Sequence, residues 1–242
     1  GGTETPPEVA DRVVATKEDI FDDGDACTVD IYSFEGEVAQ FVCTQIARAF
    51  VDLNRAPDDR PPANPDGVVK SETCYGKTIY DPAMPLTDLD AEALLRRYYF
   101  PYHTRLDEAV SDERIRLAID CHSMAAVAPP TAPDPGQSRP LFCLSNNDGR
   151  TSPMSTLERL AEALAEAFEI QRSEIWLNRP FKGGYITRSH GGGSVPWIQL
   201  EMNRSLYLAE PWFDRKALSA DADRLRDLRA RLLGALTAIN LR

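Results

Sequence analysis

Two spacings of apolar residues alternate along the chain, one of two and one of three to four, and the switches between them mark its elements. The run Ile115 to Ile119, between a charged helix end and a small-residue loop, predicts a buried strand that delivers His122 at its end. Leu141 to Leu144, Glu174 to Leu177 and Trp197 to Met202 read as further strands. Val38 to Thr44 and Arg48 to Leu53 read as two short ones joined by a tight connection. Helical spacing takes over at Leu157, Leu160, Leu164 and Phe168, an apolar stripe behind a cap at Ser155 or Thr156. It returns from Asp221 to Ile239, with Leu225, Leu228, Leu232, Leu236 and Ile239 on one face. A further helix, capped by Thr87 or Asp88, runs through Ala91 to Leu95 and on to Val110, with a kink expected at Pro101. Strands alternating with helices in this way predict one α/β domain with a largely parallel sheet.

The segments between these elements carry their own signals. Ala56 to Gly67 (APDDRPPANPDG) holds too much proline for a helix or a central strand, and Pro129 to Pro140 is a second flexible stretch. Long ordered loops of this kind often pack over sites. With 242 residues, 43% hydrophobic and 27% charged, the chain can bury a substantial globular core. A net charge of −11 argues against a nucleic-acid partner, because holding a phosphate backbone takes cations. A few local arginines could still bind an anionic small molecule. No apolar stretch approaches the ~20 residues of a membrane span, and no signal peptide opens the chain as given. The five cysteines, Cys27, Cys43, Cys74, Cys121 and Cys143, are odd in number and lack a CxxC. Reduced, mostly buried thiols and a cytoplasmic location follow as expectations.

Chemistry concentrates in a few places. Ligands of open α/β sheets bind outside the carboxyl ends of strands, where Ile119-Asp120-Cys121-His122-Ser123 would place its imidazole. His122 is a candidate metal ligand; the blander alternative is a satisfied structural histidine. In Gln199-Leu200-Glu201-Met202-Asn203-Arg204, alternation puts Glu201 on the face opposite Leu200 and Met202. A carboxylate in an apolar strand is either a general base or a buried partner of Arg204 or Arg188. Asn54-Arg55 ends a strand-like run, where an arginine can clamp a carboxylate or form a surface ion pair. The segment from Asn178 to Gly193 gathers five glycines with Tyr185, Arg188 and His190, so backbone and donors can close on a ligand, or form a mobile hairpin. Asp23-Gly24-Asp25 offers hard oxygen ligands, although such a triplet is usually a turn. His103, beside Pro101, reads as structural. No G-x-S-x-G elbow is present, and neither Ser123 nor Cys121 can reach the adjacent His122 as a nucleophile would.

Taken together, Val51-Asp52-Leu53-Asn54-Arg55-Ala56-Pro57, Ile119-Asp120-Cys121-His122-Ser123, Asn178-Arg179-Pro180-Phe181-Lys182-Gly183-Gly184-Tyr185 and Gln199-Leu200-Glu201 resemble the N-formylglutamate amidohydrolase (deformylase) family. The resemblance implies a single amidohydrolase domain over residues 1–242. Its fold would be a three-layer α/β/α sandwich with a mixed, largely parallel sheet of eight-stranded type, similar to the zinc carboxypeptidases. It also implies one zinc ion held by His122 and by Asp25 or Asp23, with Glu201 as the general base that activates water. Arg55, with Asn54 beside it, would help bind substrate or stabilise the oxyanion. Arg188 and Arg204 are the candidates for the carboxylates of a small N-acyl amino acid, with Tyr185 and His190 as further substrate-binding candidates. The family pattern places a Pro-His pair, its His a metal ligand, before a small-Gly element that matches Gly1-Gly2 here, so a first strand and that His either precede residue 1 or this member lacks the ligand. Two other readings stay open: a zinc carboxypeptidase or peptidoglycan amidase, and a non-catalytic binding module that has lost its metal.

Overall fold

The computed structural model describes residues 1–239. Its contacts divide the chain into two compact units interleaved along the sequence. The first comprises Gly1–Ala26, Val42–Glu108 and Ala128–Gln137; the second comprises Cys27–Phe41, Ala109–Val127 and the chain from Ser138 onward. In order, the elements are α1 (Lys17–Asp23), α2 (Thr28–Tyr32), α3 (Asp88–Leu94), α4 (Phe100–Val110), β1 (Ala118–Met124), β2 (Phe142–Ser145) and α5 (Met154–Phe168). They continue with β3 (Ile175–Leu177), α6 (Tyr185–His190), β4 (Trp197–Asn203), β5 (Phe213–Asp214), β6 (Ser219–Ala220) and α7 (Ala222–Ala238).

The second unit is built on a four-stranded sheet in the order β1-β4-β2-β3. β1 runs parallel to β4 and β2 parallel to β3, while β2 and β4 are antiparallel, so the sheet is mixed and mostly parallel. Alternation along each strand gives it two unlike faces. Phe142, Leu144, Ile175, Ile198, Leu200 and Met202 point to one side and form a continuous core with Leu157, Leu160 and Leu164 of α5 and Leu225, Leu228 and Leu232 of α7. Ile31 and Tyr32 of α2 join that core. On the opposite face lie α6 and the loop before it, so helices cover both sides and the unit is a three-layer α/β/α arrangement.

Several boundaries depart from those expected. β1 starts at Ala118 rather than Ile115 and runs through His122 to Met124, because its ladder with β4 keeps register as far as Asn203. Neither Val38–Thr44 nor Arg48–Leu53 is a strand. In the latter, Phe50 N–H donates to Ala47 O and Arg48 reaches Asp52 four residues on, contacts that require a turn. Four central strands are thus described in place of the eight-stranded type. The stripe helix begins at Met154 behind Pro153, without a side-chain cap from Ser155 or Thr156. α7 is capped by Asp221, whose carboxylate accepts from Arg224 N–H at 2.8 Å.

The first unit is helical and loop-rich. Thr87 caps α3 in a reciprocal box with Asp90. The helix then widens by one residue over Leu95–Tyr99, with Phe100 N–H reaching back to Leu95 O, just before Pro101 removes a donor. Phe50, Ile79, Leu94, Leu95 and Tyr99 are among its largest buried side chains. His103 Nε2 lies 3.0 Å from Leu53 O.

Candidate functional site

The face of the sheet turned away from the apolar core carries the polar side chains. Register pairs His122 directly with Glu201 and Asp120 with Gln199 across β1 and β4. On β2, Cys143 lies opposite Glu201 and Ser145 opposite Gln199. Paired residues of neighbouring strands share a face, so an imidazole and two carboxylates stand side by side near the ends of two parallel strands. His122 Nε2 and Asp120 Oδ1 are 2.8 Å apart. With the carboxylate as acceptor, Nε2 is the donor of this contact. Glu201 Oε1 accepts from Gln199 Nε2 at 2.7 Å. His122 keeps 16% of its side chain exposed, while Glu201 is 7% exposed.

The segment 178–191 covers this face. Ser145 Oγ donates to Phe181 O at 2.7 Å, Gly184 N–H donates to Gln199 Oε1, and Thr187 Oγ1 donates to Asp120 Oδ2 at 3.1 Å. The glycine-rich run holds a short helix, α6, between its two groups of glycines and is not a hairpin. Two glycines are required by geometry. Gly183 has φ +116°, and a Cβ at Gly191 would come within 2.2 Å of Thr187 O. Tyr185 is half-buried at the head of α6, Arg188 is exposed on it, and the His190 ring lies 5.5 Å from the Trp197 ring. Arg204, one residue beyond β4, turns its Nε to Ser123 Oγ at 3.0 Å. Ser123 pairs with Met202 on the other face from Glu201.

The remaining candidates belong to the first unit. Asp23 is fully buried and meets Lys70 Nζ with both oxygens, at 3.0 and 2.9 Å, and the Cys74 amide at 2.7 Å. Burial pushes the Asp23 carboxyl up, but Lys70 and Arg48 outweigh it and hold the group below the usual range. Asp52 is likewise buried and held low, against burial, by Arg48, Lys70 and Arg55. Arg55 stands 3.1 Å from Asp66 and 3.5 Å from Asp52, and Asn54 N–H caps Asp52 at 3.0 Å. Asp25 presents its backbone oxygen to the Gly1 amine at 3.0 Å.

Three residues of note were not singled out by the sequence. Thr187, fully buried, had no signal beyond being a β-branched residue on a short helix. Lys70, also fully buried, was signalled by a lone lysine after Val68 and Val69. Arg139, 9% exposed and stacked 4.7 Å over the Phe181 ring, lay hidden in a stretch read only as flexible.

Zinc takes histidine nitrogen and carboxylate oxygen in sets of three or four. His122, Asp120 and Glu201 are donors of that kind. Among the described residues, however, no group of three or more His, Cys, Asp or Glu side chains converges closely enough to hold an ion. Asp23 has its two oxygens engaged by Lys70. The donor chemistry is suitable, and a closed ligand set is not formed by these residues.

A mixed sheet with one dry face, and with an imidazole and carboxylates under a glycine-flanked helix on the other, defines an α/β protein of the kind that works through one polar sheet face. The chain belongs to the N-formylglutamate amidohydrolase family, whose sequence model matches residues 1–208. It is 30% identical over 215 residues to the N-formylglutamate deformylase of Pseudomonas aeruginosa, covering 84% of this chain and 79% of that protein. To the N-formylglutamate deformylase of Pseudomonas putida it is 27% identical over 191 residues, 74% of this chain and 68% of the other. The fold matches the crystal structure of N-formylglutamate amidohydrolase from Ralstonia eutropha with a TM-score of 0.77, over 98% of this chain and 90% of that one, at 21% identity. Among the described residues, no helix is long and apolar enough to cross a membrane.

Proposed function

We propose that this chain hydrolyses the formyl amide of N-formyl-L-glutamate, or of a similar N-acyl amino acid, releasing formate and the free amino acid. The observation that carries the reading is the pairing of His122 with Glu201 across two parallel strands, on the polar face of the sheet. Glu201, accepting from Gln199, is oriented as a carboxylate that can take a proton. In the proposed step it removes a proton from water as the water oxygen attacks the formyl carbon. It then returns that proton to the amide nitrogen as the C–N bond breaks, a role worth roughly 10²–10⁴ in rate. Arg188, exposed on α6, is the cation proposed to meet a substrate carboxylate, with Tyr185 and His190 on the same helix. One zinc ion is proposed as cofactor: when bound, it would supply a water that ionises near neutral pH. His122 would be one of its ligands, with Asp120 hydrogen-bonded to its ring. Five free thiols fit a reducing compartment, and the cytoplasm is the proposed location.

The test is to incubate the protein, with and without added zinc, with N-formyl-L-glutamate and a panel of N-acyl amino acids. Equimolar formate and glutamate, with the zinc content lowered in His122→Ala, is the expected result. Release of other acyl groups in preference to formate would move the assignment to a different amidase. No product from any of them would leave only a binding role.

A further inference from the structure

Resting on that reading, we propose that α6 is a single strut that positions both reactive side chains, with Thr187 and Gln199 as the positioning residues. The helix makes one bond to the supporting partner of each. Thr187 Oγ1 donates to Asp120 Oδ2 at 3.1 Å, and the other oxygen of Asp120 meets His122 Nε2 at 2.8 Å. Gly184 N–H, at the head of the same helix, donates to Gln199 Oε1, and Gln199 Nε2 donates to Glu201 Oε1 at 2.7 Å.

The chemistry of these groups leaves little freedom. A backbone N–H can only donate, so Gly184 selects the oxygen end of the Gln199 amide and turns its nitrogen to Glu201. Reversed, the amide would set oxygen against carboxylate oxygen. In the same way, Thr187 occupies the second oxygen of Asp120 and fixes the carboxylate that aligns the imidazole. Thr187 is fully buried and Gln199 is 3% exposed, so water does not readily replace either partner. A helix of six residues does not hold its place by propensity. α6 is instead seated by Gly183, whose φ of +116° suits glycine, and by the close approach of Gly191 to Thr187 O and Thr151. Imidazole and carboxylate are thus oriented from one rigid element, and a shift of α6 disturbs both together.

The experiment measures kcat and KM on N-formyl-L-glutamate for Thr187→Val, Thr187→Ser and Gln199→Glu, with Glu201→Gln alongside. Nuclear magnetic resonance follows the His122 ring in the same proteins. Gln199→Glu keeps an acceptor for Gly184 but turns an oxygen on Glu201. Thr187→Val and Gln199→Glu are expected to lower kcat by about 10- to 100-fold while KM changes by less than about threefold, the pattern of lost orientation. Thr187→Ser should restore most of the kcat lost in Thr187→Val, and the His122 ring N–H signal should shift in Thr187→Val but not in Thr187→Ser. The inference is overturned if Thr187→Val and Gln199→Glu keep the parent kcat while Glu201→Gln is inactive. An unmoved His122 signal in Thr187→Val overturns it independently of turnover. Full turnover by Glu201→Gln would instead remove the catalytic reading on which the strut rests.

Discussion

Asp23 shows how far a single side chain can depart from what its neighbours in sequence suggest. Asp-Gly-Asp reads as a turn or a pair of oxygen ligands, yet the carboxylate is sealed against the Lys70 ammonium, which is itself wholly buried. A buried pair adds little when intact, but removing one member strands the other, so Lys70→Met should cost about 3–5 kcal/mol in urea unfolding. The Asp23 and Asp52 carboxyls are held below the usual range in the folded chain. Such groups contribute stability that is complete above their unfolded value, near ~3.9, and is lost as pH falls through the lower folded values. Urea midpoints should therefore be flat from neutral pH down to about 5 and fall below about 4. Rising stability on acidification in that window would contradict the pairing. Burial also pushes the Cys121 thiol to about 12 and those of Cys27, Cys74 and Cys143 to about 11, whereas Cys43 is exposed. Thiol reagents at neutral pH should label Cys43 first, the half-buried Cys27, Cys74 and Cys121 more slowly, and the buried Cys143 only on unfolding.

Among the elements, those with strong periodicity were readable and those defined by distant partners were not. The stripe of α5, the face of α7 and the alternation of β4 were visible because each buries one continuous apolar surface. Alternation alone placed Glu201 apart from Leu200 and Met202, and the structure adds that His122 and Asp120 share its face. Arg48–Leu53 misled because its apolar residues are buried within turns, and the Asp52 N–H there donates to Val68 O, a partner further along the chain that no short-range pattern encodes. Thr187 stayed silent for the same reason, since its partner Asp120 lies 67 positions away. The glycines of the α6 region separate cleanly by geometry. A Cβ at Gly191 would press on the Thr187 backbone and on Thr151, while one at Gly192 would meet open space. Gly191→Ala should lose about 1–3 kcal/mol by thermal unfolding and lower turnover, whereas Gly192→Ala should match the parent in both. Equal behaviour of the two would show that α6 is not tightly seated.

At the scale of the whole molecule, the account depends on the unlike faces of one mixed sheet. The apolar face, closed by α2, α5 and α7, supplies a rigid support, and the polar face holds charged and hydrogen-bonding groups that a core would not tolerate unpaired. Family membership and a shared fold fit that arrangement, and with a net charge of −11 the proposed anionic substrate would have to be met by local cations, Arg188 being the one proposed. The most direct measurement is the turnover of N-formyl-L-glutamate by Glu201→Gln, in protein shown by circular dichroism to be folded. Formate release should fall by about 100-fold or more, as loss of a general base requires. Turnover within about twofold of the parent would contradict the placing of the reaction on this face.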